Sequence, residues 1–154
     1  MNPTRRQRYA PHLLLSAIGT MKHGSCLCGA VRFTVTSDAL KQPDACHCIA
    51  CRKSSGHYFV STDVPRSALN ISGGDNVQWY DSSARVRRGF CRTCGSTLFF
   101  DPPARDWIGI AMGAFDGDTG TTTELHLFVS EKGDYYRIAD GLPQHDRLPP
   151  LPAG

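Results

Sequence analysis

The chain has 154 residues, of which 40% are hydrophobic and 20% charged, a balance that excludes an intrinsically disordered protein and predicts a single domain. Its formal charge is only +3, which predicts no nucleic-acid partner. Apolar stretches are too short to cross a bilayer, which predicts no membrane partner.

The first segment, residues 1–21, is predicted to be a flexible leader. Arg5, Arg6 and Arg8 precede a short apolar run over residues 13–18. The run is short and lacks a clear small-residue cleavage site, which disfavours a signal peptide. A natural start at Met21 would make this leader a non-native extension. The domain is predicted to span residues 22–145, and a proline-rich tail to span residues 146–154.

Seven short segments are predicted to be strands, because they alternate in polarity or are rich in β-branched and aromatic residues. They are residues 30–36, 57–62, 76–80, 85–90, 96–100, 107–112 and 124–129. Short helical turns are predicted near residues 50–55 and 67–69. The 15 glycines and 10 prolines supply the turns between these segments. The pattern predicts a mainly β fold of stacked sheets with one or two helical turns.

The seven cysteines fall into three tight clusters, at positions 26 and 28, at positions 46, 48 and 51, and at positions 91 and 94. Their odd number and close spacing disfavour a disulfide framework. Clustered thiols instead favour metal binding in a reducing compartment, and we predict a cytoplasmic protein.

Two of these clusters predict one structural zinc site. Each is a cysteine pair followed at once by a glycine, Gly29 or Gly95, which can close a tight loop around the sulfur atoms. Pairs of this kind, distant in sequence, indicate a shared tetrahedral ion. The predicted ligands are Cys26, Cys28, Cys91 and Cys94.

The central cluster predicts a second, catalytic zinc site with the ligands Cys46, Cys48 and Cys51. Three protein ligands with an open or water-filled fourth position are typical of catalytic zinc. His57 is the best alternative for the fourth position, and Asp44 is another. His47 lies between two ligands, so we expect its side chain to point away from the ion, either supporting the ligands through hydrogen bonds or lying at the surface.

Basic residues surround the cysteine clusters, and two explanations for them remain open. They could offset the negative charge of the zinc–thiolate centres, or they could bind carboxylates of a substrate. The residues are Arg52, Lys53, Arg85, Arg87, Arg88 and Arg92.

The sequence around the cysteines resembles a known family. Residues 24–33 (GSCLCGAVRF), 46–56 (CHCIACRKSSG) and 89–100 (GFCRTCGSTLFF) are similar to three ordered motifs of the glutathione-dependent formaldehyde-activating enzyme (GFA) family, whose domain is shared with centromere protein V. The resemblance continues through residues 126–129 to 140–143 and covers about residues 22–145.

The resemblance implies an antiparallel β-tent of stacked sheets with a zinc clasp. It assigns the structural zinc to the four-cysteine set and the second zinc to the central trio. It also implies a carbon–sulfur lyase that reversibly joins formaldehyde and glutathione to S-hydroxymethylglutathione, so the expected partners are a small thiol and an aldehyde. Two positions depart from the family pattern: Leu27 replaces a frequent histidine, and Tyr135 replaces a common tryptophan.

Three functional hypotheses follow from these residues. The first is the lyase, with the central zinc presenting a thiolate to an aldehyde. The second is a non-catalytic zinc module that binds a protein or a small thiol, which a fourth ligand such as His57 would favour. The third, a methionine sulfoxide reductase, needs a reactive cysteine outside the zinc sites, and no cysteine follows Cys94.

Overall fold

The computed structural model describes residues 19–149. Most of the predicted leader, and the last five residues of the predicted tail, therefore lie outside the described residues. Within this range, no helix combines the length and the apolar character needed to span a membrane.

The described residues form eleven strands and one α-helix, joined by short 3-10 turns. The prediction of a mainly β fold is confirmed. The strands are β1 (Met21–Ser25), β2 (Arg32–Thr36), β3 (Asp44–Cys46), β4 (Phe59–Pro65), β5 (Leu69–Ser72), β6 (Val77–Ser83), β7 (Val86–Cys91), β8 (Thr97–Asp101), β9 (Trp107–Ala111), β10 (Leu125–Leu127) and β11 (Gln144–His145). The helix is α1 (Ile49–Ser55).

Each of the seven predicted strands overlaps an observed one, and the predicted turn over residues 50–55 lies within α1. Four observed strands were not predicted: β1, β3, β5 and β11. All four are short, with two to five residues, so their periodicity carries little signal. β11 lies at the end of the predicted domain, where it pairs with β10.

The strands form two sheets. The smaller has the order β1-β2-β5, and the larger has the order β11-β10-β3-β4-β9-β8-β7-β6. Pairing is antiparallel as predicted, except at one edge of the larger sheet, where β10 lies parallel to both β3 and β11. Leu127 of β10 is thereby placed opposite Cys46 of β3. A distant part of the chain therefore lies beside the central cysteine cluster.

The hydrophobic core lies where the two sheets meet. Phe33 of β2 packs edge-on against Phe99 of β8, with ring centroids 5.9 Å apart. Burying an aromatic side chain of this size contributes roughly 1.5–3 kcal/mol to folding. Cys26, Cys51 and Cys91 are buried in the same core cluster. The cysteine clusters are therefore continuous with the packing that holds the sheets together.

Candidate metal centres

The structure brings four cysteines together at the junction of the two sheets. Cys26 and Cys28 lie in the turn between β1 and β2 of the smaller sheet. Cys91 ends β7 of the larger sheet, and Cys94 lies in the turn that follows it. Their four Sγ atoms lie within 4.8 Å of one another. The four cysteines that the sequence predicts as ligands of one ion are therefore close enough together to share it.

The two turns are built in the same way. The Cys26 N–H donates to the Val31 carbonyl, and the Cys91 N–H donates to the Ser96 carbonyl, each at 3.0 Å. Gly29 and Gly95 both have φ of 75°, a left-handed conformation that side-chain-bearing residues rarely adopt. Their N–H groups close the loops onto the carbonyls of Cys26 and Cys91. The glycine that follows each cysteine pair thus has the conformational role that the sequence predicts.

Polar groups around the four-cysteine cluster favour thiolates. The Val31 N–H donates to Cys26 Sγ at 3.2 Å. The Ser96 hydroxyl lies 3.2 Å from Cys94 Sγ, and together with the Ser96 N–H it lowers the pKa of Cys94 to about 5. A set of four soft thiolate donors at this spacing fits a tetrahedral zinc ion.

The central cluster is assembled by one short segment. Cys46 ends β3, Cys48 caps the N-terminus of α1, and Cys51 lies one turn into that helix. The Cys51 N–H donates to Cys48 Sγ at 3.4 Å, and the three Sγ atoms lie within 4.8 Å of one another. Cys51 is buried, whereas Cys46 and Cys48 are partly exposed. The three thiols therefore converge at a place where two of the three residues are partly exposed.

Neither alternative fourth ligand joins this group. The group of ligand atoms around the trio includes neither His57 nor Asp44. His57 is exposed, and its ring lies among Tyr58, Tyr135 and Tyr136, with the Tyr136 centroid at 4.4 Å. Among residues 19–149, the ligand set of this cluster is therefore three thiols, which fits a zinc ion with one position left for another ligand.

Hydrogen bonds among the three thiols shift their pKa values in different directions. Hydrogen bonds with the thiols of Cys48 and Cys51 raise the pKa of Cys46. The thiols of Cys46 and Cys51 together lower the pKa of Cys48 to about 2, because they stabilise its thiolate. The first thiolate of the cluster therefore forms at Cys48.

Arg88 is the basic residue that reaches the central cluster. Its Nη2 donates to Cys51 Sγ at 3.5 Å and its Nη1 to Ser54 Oγ at 3.3 Å, and the residue is only 8% exposed. Its Nε is buried without a hydrogen-bond partner. None of the ion pairs recorded within the described range involves Arg88. A buried guanidinium needs a compensating anion, and the sulfur of Cys51 is in place to supply one.

The neighbouring Arg87 has a different role. Its Nε donates to Asp101 Oδ2 at 2.7 Å, and its guanidinium lies 4.3 Å from the Trp79 ring centroid. Arg66 pairs with the other oxygen of the same buried carboxylate. Arg87 therefore stabilises the sheet away from the cysteines, although the sequence groups it with Arg88.

His47 is not a surface residue, so that alternative in the sequence analysis is wrong. The side chain is completely buried, with its Nε2 2.8 Å from His126 Nδ1 and its Nδ1 hydrogen-bonded to the Tyr136 hydroxyl. Burial, followed by the nearby His126, lowers the pKa of His47 to about 4. The Nε2 atom of His126 in turn lies 2.9 Å from Asp140 Oδ2.

Sequence reasoning missed His126, Tyr136 and Asp140. They lie 79 to 93 positions after His47, and the parallel pairing of β3 with β10 is what brings them to it. The alternation Glu124-Leu-His-Leu placed His126 on one face of a strand, but nothing in the sequence showed which strand would lie beside it.

The two departures from the family pattern lie at the surface. Leu27 is 89% exposed, in the turn between Cys26 and Cys28. Tyr135 is 58% exposed and contacts the rings of His57 and Tyr136 at centroid distances of 5.7 and 5.0 Å. Neither position contributes a sulfur ligand, so both cysteine clusters are intact.

Comparison with known proteins supports the resemblance seen in the motifs. The family described as glutathione-dependent formaldehyde-activating enzyme matches residues 21–131. A Halomonas elongata protein provisionally named as such an enzyme is 32% identical over 124 residues, which cover 75% of this chain and 79% of that protein. A Schizosaccharomyces pombe protein named as an uncharacterized lyase is 29% identical over 118 residues, covering 76% of this chain and 85% of that protein.

The fold has a counterpart among solved structures. A crystal structure of a Rhodobacter sphaeroides protein, determined as a structural genomics target, superposes with a TM-score of 0.53 and 25% sequence identity. The match covers 62% of this chain and 89% of that one. The chain belongs to the glutathione-dependent formaldehyde-activating enzyme family, because the family match covers most of the domain and a relative from that family is 32% identical over 75% of the chain.

Proposed function

We propose that this protein is a zinc-dependent carbon–sulfur lyase that reversibly joins a glutathione-like thiol to a formaldehyde-like aldehyde. The family to which it belongs and the names of its relatives support this reaction. The observation that carries the proposal is the trio of Cys46, Cys48 and Cys51, whose sulfur atoms converge and of which Cys46 and Cys48 are partly exposed residues. A cluster of this kind leaves room for an incoming thiol.

Each cysteine cluster would hold one zinc ion. Cys26, Cys28, Cys91 and Cys94 would bind the first, with all four positions filled by protein, which suits a structural ion. Cys46, Cys48 and Cys51 would bind the second, which when bound lowers the pKa of a coordinated thiol and polarises a carbonyl. All seven cysteines are free thiols, and a reducing compartment such as the cytoplasm would keep them so.

The reaction forms one C–S bond. The thiol gives up its proton, and the sulfur of the resulting thiolate gives an electron pair to the aldehyde carbon. The C=O π bond opens and the aldehyde oxygen takes up a proton, so no proton is gained or lost overall. In the reverse direction the oxygen loses that proton and the C–S bond breaks. The residues of this chain orient the sulfur cluster through α1 and balance its negative charge through Arg88.

Exchange NMR of ¹³C-formaldehyde with glutathione tests the lyase proposal. Thiols add to formaldehyde without help, so the quantity to measure is the acceleration of exchange over the same mixture without protein. We expect acceleration in proportion to the concentration of zinc-loaded protein, with little or none after metal removal. If the loaded protein leaves the exchange rate unchanged, the alternative of a non-catalytic zinc module that binds a small thiol or a protein replaces the lyase.

Arg88→Met tests whether the guanidinium compensates the charge of the second centre. We expect the affinity for the second zinc ion to fall about tenfold, in line with the loss of an outer-shell partner, while the first ion is retained. Methionine is similar in length, but removing one partner of a buried charge pair is destabilising, so both proteins are compared at a temperature where circular dichroism shows them folded. Chelator competition followed by native mass spectrometry measures each ion separately.

Arg85→Met is the matched control for Arg88→Met, because it removes the same charge at an exposed position that follows β6. We expect it to leave both zinc affinities unchanged. Equal affinities in the Arg88→Met and wild-type proteins would contradict charge compensation and favour a substrate-binding role for Arg88.

A further inference from the structure

Four polar side chains beside the second metal centre form an unbranched series of hydrogen bonds. We call this series, which consists of Tyr136, His47, His126 and Asp140, the relay. Tyr136 bonds to His47 Nδ1. His47 Nε2 lies 2.8 Å from His126 Nδ1, and His126 Nε2 lies 2.9 Å from Asp140 Oδ2. Both nitrogens of each ring are engaged, so each ring has one neighbour on either side.

The carboxylate at one end sets the direction of every bond in the relay. An ionised carboxylate only accepts hydrogen bonds, and a neutral imidazole carries a single N–H. Asp140 therefore requires the proton of His126 on Nε2, which leaves His126 Nδ1 as an acceptor for His47 Nε2–H. His47 Nδ1 is then an acceptor, and the Tyr136 hydroxyl donates to it. Both rings are thus required to be Nε2–H tautomers.

The relay is attached to the segment that carries the cysteine trio. His47 lies between Cys46 and Cys48, and its ring is completely buried. The backbone N–H of His47 donates to the Leu127 carbonyl at 2.9 Å. The buried ring and this backbone hydrogen bond therefore hold in place the peptide that connects two of the three thiols. Asp140, in contrast, is exposed at the far end of the relay, with about half of its side chain accessible.

We propose that Asp140, through His126, is a positioning residue for the second metal centre. By imposing one direction on the hydrogen bonds of the relay, it fixes the tautomer and orientation of His47, and thereby the placement of the thiols of Cys46 and Cys48. This inference rests on the proposed zinc site at Cys46, Cys48 and Cys51. Tyr136 closes the relay at its other end.

Asp140→Asn tests the proposal without disturbing the core. Asp140 Oδ1 accepts the Leu142 N–H at 3.1 Å, so the amide oxygen of asparagine is expected to keep that contact and turn its NH₂ group toward His126. His126 Nε2 must then accept, which reverses the whole relay. We expect both His126 and His47 to change from the Nε2–H to the Nδ1–H tautomer.

Histidine ¹⁵N NMR of the zinc-loaded full chain at pH 8, where imidazoles are ordinarily neutral, reads the tautomers directly. Chelator competition on the same samples measures the metal. We expect Asp140→Asn to lower the affinity for the second zinc ion about tenfold and to leave the first ion in place. Asp134→Asn, which removes an exposed carboxylate six positions earlier, is expected to keep the wild-type tautomers and affinities.

Three results would overturn the proposal. An unchanged His47 tautomer in Asp140→Asn, or an Nδ1–H tautomer in the wild-type protein, would contradict the direction of the relay. Reversed tautomers with unaltered zinc affinity would contradict the positioning role. A protein that binds both ions but does not accelerate thiol exchange would instead contradict the proposed lyase and leave this inference intact.

Discussion

Cys94→Ser is expected to lose the first zinc ion and to leave the protein largely unfolded at ambient temperature. The four-cysteine cluster connects the turn between β1 and β2 to the turn between β7 and β8, so it joins the smaller sheet to the larger one. A structural zinc ion contributes on the order of 10 kcal/mol to folding. The total stability of a domain is about 5–15 kcal/mol. Losing the ion therefore removes most of the free energy of folding, and the hydrophobic core alone cannot replace it.

Thermal unfolding followed by circular dichroism, with zinc counted by native mass spectrometry, measures this effect. Thr93→Ala is the matched control, because Thr93 is exposed in the same turn and contributes no sulfur ligand. It is expected to bind two zinc ions and to unfold within a few degrees of the wild-type protein. A Cys94→Ser protein that melts at the wild-type temperature would show that this cluster is not the clasp between the sheets.

The four-cysteine cluster could be anticipated from sequence because its signals are local. Each pair of cysteines lies in a turn of a few residues closed by Gly29 or Gly95, and the spacing within a pair fixes how its thiols point. The strands that flank these turns, β2, β7 and β8, also have clear alternation or β-branched content. Local geometry therefore predicts both turns and predicts that their thiols bind one metal ion.

The surroundings of the central cluster could not be anticipated in the same way. Arg87 and Arg88 are adjacent in β7, so their side chains leave opposite faces of the sheet. Only the packed structure shows that Arg88 faces Cys51 while Arg87 faces Trp79 and Asp101. The parallel pairing of β10 with β3 is a long-range contact between three-residue strands, and it alone brings His126 to His47.

Cys51→Ser is expected to remove the second zinc ion and the acceleration of thiol exchange while the two sheets stay folded. Cys51 lies on α1, which is outside both sheets and follows the short strand β3. Serine keeps the shape of the side chain but is a poor zinc ligand at neutral pH, because its hydroxyl stays protonated. Arg88 also loses its sulfur acceptor, so we expect a destabilisation of about 1–3 kcal/mol and not global unfolding.

The comparison of Cys51→Ser with Cys94→Ser separates the roles of the two centres, because each variant removes one ligand from one cluster. Native mass spectrometry is expected to find one zinc ion in Cys51→Ser, and circular dichroism to find the wild-type strand content. Lys53→Ala, an exposed change on the same helix, controls for the effect of altering α1. If Cys51→Ser keeps both ions, Cys51 is not a ligand, and the open three-thiolate centre on which the lyase depends does not exist.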